Sequence, residues 1–126
     1  MHVSLLAFPD AVVSTLTGIH DVLNGFGMLA GFDDAVPDDP PFVVEIVGAA
    51  PGPLQLASGM PLVVQRAIAD VGSTDILIVP SVLVGRDGWQ GGRYPDLVAW
   101  VDRMHEAGAI LCSACSGVFL LAETGR

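Results

Sequence analysis

The chain has 126 residues, the size of a single domain, and 52% of them are hydrophobic, enough to bury a core. Its 14 acidic residues outnumber its five arginines, and a net charge of −9 repels the negatively charged phosphate backbone of nucleic acids. We therefore expect a globular domain that does not bind nucleic acid by itself. The apolar runs are too short to cross a bilayer and no basic residue opens an apolar leader, so we expect a cytoplasmic protein without membrane contact.

The first half of the chain alternates strand and helix patterns. Residues 3–8 form a short apolar run, which predicts a strand buried on both faces. From Ser14 to Leu29, apolar residues recur at steps of three and four, which predicts a helix with Ser14 as its N-cap. The acidic, proline-rich residues 33–41 predict a surface loop, and residues 42–47 predict a second strand.

The second half continues the alternation without repeats or linkers. Gly108 follows an amphipathic pattern and predicts the end of a helix. The predicted elements are a small hairpin or crossover at 54–58 and 62–65, strands at 76–79 and 110–113, and helices at 97–105 and 117–122. Because each strand is an almost continuous apolar run between helices, the pattern predicts an α/β fold with a parallel sheet covered on both faces.

Cys115 lies where this pattern passes from a strand to a helix. Ligands in such folds bind at the carboxyl ends of the strands, and free N–H groups at a helix start stabilise a thiolate. Gly117 permits the close backbone approach of a sharp strand–nucleophile–helix turn, although Ser113 stands where the hydrolase version has glycine. Cys115 is therefore either a functional thiol or a small buried hydrophobe at a packed turn.

Four phrases, two of which overlap at residues 113–115, carry a resemblance to a known family. The phrase SACSGVFLLAETG at 113–125 resembles the elbow of the DJ-1/PfpI superfamily of class I glutamine amidotransferase-like proteins. It is most similar to the form in the N-terminal domains of GlxA-like AraC-family transcription regulators. The opening LLAFPDAVVSTLTGIHDVLNGFG resembles that family's first strand and helix, with residues 17–23 at its Gly-Pro-x-Glu-Val-Phe phrase. DILIVP at 75–80 and GAILCSAC at 108–115 extend the resemblance over essentially the whole chain.

The resemblance implies a flavodoxin-like α/β fold that is C-terminally truncated. Residues 1–126 would form a partial DJ-1/PfpI-like domain with no DNA-binding domain, no cofactor and no metal. Asp21 falls where the family keeps an acid that reaches the elbow cysteine, with Ile19 in place of the usual proline. The exposed edge of a shortened sheet favours a homodimer. The residues expected to surround a small-molecule ligand are Cys115, Asp21, Ser116, Gly117, Ser81 and Val82.

Two departures from the family pattern weigh against catalysis. Pro80-Ser81-Val82 replaces a Pro-Gly-Gly phrase whose amides help bind a developing oxyanion, and losing both glycines restricts that backbone. Ser116 stands where peptidase-like members have a histidine, so we expect no peptidase activity. His20 and His105 are the other candidate bases, and each can equally be an ordinary polar residue on the surface of an amphipathic helix.

Two other motifs are less informative. Cys112 and Cys115 spell C-x-x-C, but Cys112 should lie inside a strand and no second ligand pair exists, so we expect a structural cysteine. The loop GRDGWQGGR at 85–93 lacks the spacing of a nucleotide-binding loop and predicts a mobile segment. Its Trp89, Arg86 and Arg93 either line a pocket for a small anionic or amide ligand or lie on the surface.

Three functions remain open at this point. The resemblance favours the ligand-sensing domain of an AraC-family regulator, with DNA binding assigned to a helix-turn-helix region outside the chain. The alternative is an enzyme of the DJ-1 or isocyanide-hydratase type, in which Cys115 attacks the substrate and Asp21 handles a proton. The third is a dimerisation module with an inert thiol.

Overall fold

A computed structural model describes residues 1–126 as a five-stranded parallel sheet with helices on both faces. The elements are β1 His2–Leu6, α1 Val13–Leu29, β2 Val43–Gly48, β3 Gly52–Gln55, β4 Pro61–Val64, β5 Arg66–Ala67, β6 Ile76–Val79, α2 Pro95–Glu106, β7 Ile110–Ser113 and α3 Val118–Ala122. The strand order is β5-β2-β1-β6-β7, and β3 and β4 form a separate antiparallel hairpin. The predicted α/β fold with a parallel sheet is confirmed.

The two faces of the sheet are covered to different extents. The larger core lies under α2, which buries Leu97, Trp100, Val101 and Met104. On the opposite face, Val3 and Leu5 of β1 pack with half-buried residues of α1, yet Leu16 is the only buried residue of this 17-residue helix. β1 is thus buried on both sides, as its continuous apolar run predicts. No helix of the chain is both long and apolar enough to cross a membrane.

Several predicted boundaries need correction. α1 begins at Val13 with Val12 as its N-cap residue, so Ser14 is not the cap and lies exposed in the first turn. The start is fixed instead by a tertiary contact, because the Val12 amide donates to the Ser81 carbonyl at 2.8 Å. The helix predicted at 117–122 begins one residue later, after a 3₁₀ turn.

One strand escaped prediction and one helix end was predicted well. β5 has only two residues, too few to carry a periodic pattern, and it extends the sheet by pairing Arg66 with Val47 of β2. α2 ends before Gly108, whose φ of +103° lies in the left-handed region that favours glycine. Of the predicted hairpin or crossover, the hairpin is observed, with β3 two to three residues and β4 one residue earlier than predicted.

Candidate functional site

Cys115 lies in a short turn at the carboxyl edge of the sheet. β7 ends at Ser113, a 3₁₀ turn covers Cys115–Gly117, and α3 follows directly. We call residues 114–117 the Cys115 turn. Cys115 is the only non-glycine residue with a positive φ, at +47°, and its side chain is exposed. A residue with a Cβ atom in this conformation carries about 1–2 kcal/mol of strain, so the turn presents the thiol to solvent at an energetic cost.

Gly117 allows the turn to pack directly on the end of β6. A Cβ atom at this position would lie 2.5 Å from the Val79 carbonyl oxygen and closer still to that of Pro80. Both obstacles are backbone atoms, which cannot rotate away as a side chain can. The close backbone approach predicted for Gly117 is therefore present.

Ser116 and Ser81 tie the turn to the loop that follows β6. The Ser116 hydroxyl accepts a hydrogen bond from the Val82 amide and donates one to the Val82 carbonyl, each at 2.9 Å. The Ser81 hydroxyl donates to the Ala114 carbonyl at 3.3 Å. Four of the six predicted site residues, Ser81, Val82, Ser116 and Gly117, thus lie beside Cys115 and brace its turn.

The bracing also removes a hydrogen-bond donor that catalysis would need. Ser81 and Val82 stand where the family pattern has its Gly-Gly pair, and the Val82 amide already donates to the Ser116 hydroxyl. The Ser81 amide has no protein partner and is the one left to bind a ligand oxygen from this loop. An oxyanion site with two loop amides is therefore not formed here.

Asp21 occupies the outer side of α1. It is exposed and forms no hydrogen bond or salt bridge, and nothing joins its carboxylate to the Cys115 thiol. Its helix does face the turn, since Gly18 and Val22 line a largely apolar groove of about 360 Å³ with Ser113 and Ala114. We call this the α1 groove. The structure brings α1 to the carboxyl edge of the sheet without bringing Asp21 into contact with the thiol.

The other candidate residues lie away from the thiol. His20 contacts Asn24 of its own helix, and His105 is exposed near the far end of α2. Cys112 is half-buried inside β7 and is not bonded to Cys115. Neither histidine forms a hydrogen bond with the thiol.

The loop at 85–93 is anchored rather than detached from the fold. The carboxylate of Glu123, just after α3, accepts hydrogen bonds from the Trp89 indole at 2.9 Å and from the Gly92 amide at 2.7 Å. The Trp89 ring also stacks on Phe119 of α3, with ring centroids 6.4 Å apart. Glu123 thus anchors the loop from a position 31 to 34 residues away in sequence.

A second cleft, which we call the Arg93 cleft, opens beside this loop. It lies at the carboxyl ends of β1 and β2, between the β3–β4 hairpin and the start of α2, and has a volume of about 390 Å³. Asp10, after β1, accepts a hydrogen bond from the Tyr94 hydroxyl at 2.7 Å and pairs with Arg93 at 2.6 Å. Burial, followed by the hydrogen bond to Asp10 and its charge, raises the pKa of Tyr94 to about 12.

The sequence pointed to only part of this cluster. Arg93 and Trp89 were candidates for pocket residues, whereas Asp10 and Tyr94 were missed. The contact between Asp10 and Tyr94 spans 84 residues, which no local pattern indicates. The one available signal was an acid two residues after the predicted buried strand at 3–8.

Comparisons with known proteins give structural relatives but no sequence family. No protein-family model and no curated protein matches the chain. An AraC family transcriptional regulator from Pseudomonas putida matches with a TM-score of 0.72 and 19% identity over 98% of this chain and 60% of its own. A mutant of a DJ-1 superfamily protein from Salmonella typhimurium matches with a TM-score of 0.70 and 18% identity, over 98% of this chain and 60% of its own. A ThiJ/PfpI family protein from Pseudomonas syringae matches with a TM-score of 0.68 and 20% identity, over 98% of this chain and 46% of its own.

The chain therefore spans at most about three fifths of these structures. Identities near 20% carry the fold and leave activity open. The likeness in fold agrees with the resemblance found in the sequence. The chain has the same α/β fold as these structures of AraC-family and DJ-1 or ThiJ/PfpI proteins.

Proposed function

We propose that the chain is the ligand-sensing part of an AraC-family transcriptional regulator and that it binds a small metabolite at the Cys115 turn. The observation that carries the proposal is an exposed thiol held in a strained, braced turn at the carboxyl edge of the sheet. The α1 groove beside it supplies an apolar wall for a ligand, and the free Ser81 amide supplies a polar contact.

The charge and the edge of the sheet extend the proposal to partners. A net charge of −9 supports DNA binding by a separate helix-turn-helix domain rather than by these residues. β7 is an edge strand, and its Ile110 is 59% exposed, which supports a homodimer that covers this edge. We place the protein in the cytoplasm, where a regulator meets both its metabolite and its DNA.

Thermal unfolding in the presence of a metabolite panel tests the ligand site. The panel comprises amino acids, amides and amines, and the variants are Cys115→Ala and Asp21→Asn. We expect at least one compound to raise the unfolding temperature, and Cys115→Ala to abolish that rise. Cys112→Ala is the matched control, because it removes the other thiol from the neighbouring strand. The site assignment would be wrong if every ligand response in the panel survived Cys115→Ala.

Sequencing the gene beyond the codon for Arg126 tests the regulator itself. Two helix-turn-helix segments encoded after the rest of this α/β domain would support the proposal. A reading frame that closes soon after the domain is complete would contradict it.

A DJ-1 or isocyanide-hydratase type enzyme is the second candidate, favoured by the exposure of the Cys115 thiol. In this function Cys115 attacks the substrate and Asp21 transfers a proton after α1 moves towards the turn. It predicts rapid alkylation of Cys115 relative to Cys112, and turnover that is lost in Asp21→Asn. Alkylation of Cys115 at the rate of an ordinary exposed thiol would count against it.

A further inference from the structure

The Arg93 cleft is a separate cavity from the Cys115 turn. Its volume of about 390 Å³ falls in the range of small-ligand sites, and no residue of the Cys115 turn lines it. Its walls are apolar and come from Phe8, Leu54 and Val64. The only charged side chains that line it are Arg93 and Asp96. The cleft therefore combines an apolar interior with one positive and one negative group.

The Arg93 guanidinium is fixed in place and still has free donors. Its Nη1 pairs with Asp10 at 2.6 Å, and its Nε donates to the Gln90 carbonyl at 3.0 Å. It also lies over the rings of Trp89 and Tyr94, 5.0 and 5.2 Å from their centroids. Nη2 forms no hydrogen bond within the protein. A guanidinium oriented in this way is prepared to bind a carboxylate without losing further side-chain freedom.

Asp96 supplies the opposite charge on the same cleft. It lies three residues after Arg93, at the start of α2, and it is exposed without a hydrogen bond or ion pair. Asp10 is already bonded to Arg93 and Tyr94, so Asp96 is the carboxylate near the cleft that has no partner. A simple carboxylate would meet repulsion from Asp96, and a simple amine would leave Nη2 of Arg93 without an acceptor. A zwitterion satisfies both groups.

We propose that the Arg93 cleft binds an α-amino acid with an aliphatic side chain. Its carboxylate binds Arg93 Nη2, its ammonium group binds Asp96, and its side chain packs against Leu54 and Val64. Because the cleft shares no residue with the Cys115 turn, the inference stands or falls independently of the proposed function.

Isothermal titration of the 126-residue chain with L-leucine tests the proposal. We expect saturable binding that weakens at least about tenfold in Arg93→Gln, since a charge-assisted hydrogen bond is lost. Asp96→Asn should weaken binding about threefold or more, and it breaks no bond within the protein, so it keeps the test valid if Arg93→Gln misfolds. Arg86→Gln and Asp87→Asn, exposed in the same loop and outside the cleft, are matched controls and should bind normally.

Two fragments of leucine and one further variant separate the possible outcomes. We expect 4-methylpentanoate, which lacks the ammonium group, and isopentylamine, which lacks the carboxylate, to bind more weakly than leucine. Failure of leucine, isoleucine, valine and methionine to bind would overturn the proposal, as would equal affinities in Asp96→Asn and Asp87→Asn. Binding lost in Cys115→Ala but kept in Asp96→Asn would place the ligand at the Cys115 turn and also overturn it. Binding kept in Cys115→Ala and weakened in Asp96→Asn supports it.

Discussion

The two sides of the proposed ligand site at Cys115 are built differently. The Cys115 turn is braced by backbone packing at Gly117 and by hydrogen bonds between Ser116 and Val82. Across the groove, α1 buries one residue, and Val22 is 75% exposed. The position of the thiol is therefore determined by the fold itself. Asp21 lies on the exposed face of a helix that buries only Leu16.

The largest expected effect comes from a pair of glycine substitutions. Gly117→Ala places a methyl group against two backbone carbonyls and should lower the free energy of unfolding by roughly 3 kcal/mol or more. Gly18→Ala has open space around it and lies inside α1, so it should raise stability by about 0.5–1 kcal/mol. Urea unfolding followed by circular dichroism measures both. Equal, small changes would mean that the turn is no more constrained than the helix.

A pair of serine substitutions tests the bracing by hydrogen bonds. Ser116→Ala leaves the amide and carbonyl of the buried Val82 without their partner and should cost about 1–3 kcal/mol of unfolding free energy. Ser14→Ala changes an exposed serine of α1 with no hydrogen bond, so its effect should stay within about 0.5 kcal/mol. If Ser116→Ala were as mild as Ser14→Ala, water would be replacing the hydroxyl and the bracing argument would be wrong.

This contrast also explains how far the sequence could predict the molecule. β1, β6 and β7 were predictable because each is a continuous apolar run, and Gly117 because a sharp strand-to-helix turn requires close backbone approach. The role of Ser116 was not, because a serine next to a cysteine shows nothing about Val82, 34 residues earlier. Long-range polar contacts leave no periodic trace in a sequence.

The pKa of Tyr94, the only tyrosine, should respond to Asp10 after β1 and not to Asp21 on α1. Its raised pKa of about 12 means that neutral Tyr94 stabilises the fold fully below the unfolded pKa of about 10, and that this contribution is lost as the pH rises through about 12. Asp10→Asn should move the midpoint of tyrosinate absorbance down towards about 10, and Asp21→Asn should leave it unchanged. The chain unfolded in guanidinium gives the reference midpoint. A native midpoint near that reference would contradict the Asp10 contact.

The smallest expected effect concerns Cys115, where the braced turn meets the thiol. Cys115→Gly removes the strain of a left-handed residue, worth about 1–2 kcal/mol, but gives the unfolded chain more freedom, so we expect a net stabilisation of about 0.5 kcal/mol. Cys115→Ala keeps the backbone strain without the thiol and is the control, with no expected gain. A destabilising Cys115→Gly would show that the side chain makes a stabilising contact in the folded chain. A stabilising one would mean that cysteine is held here against the preference of the backbone, which favours a role for the thiol itself.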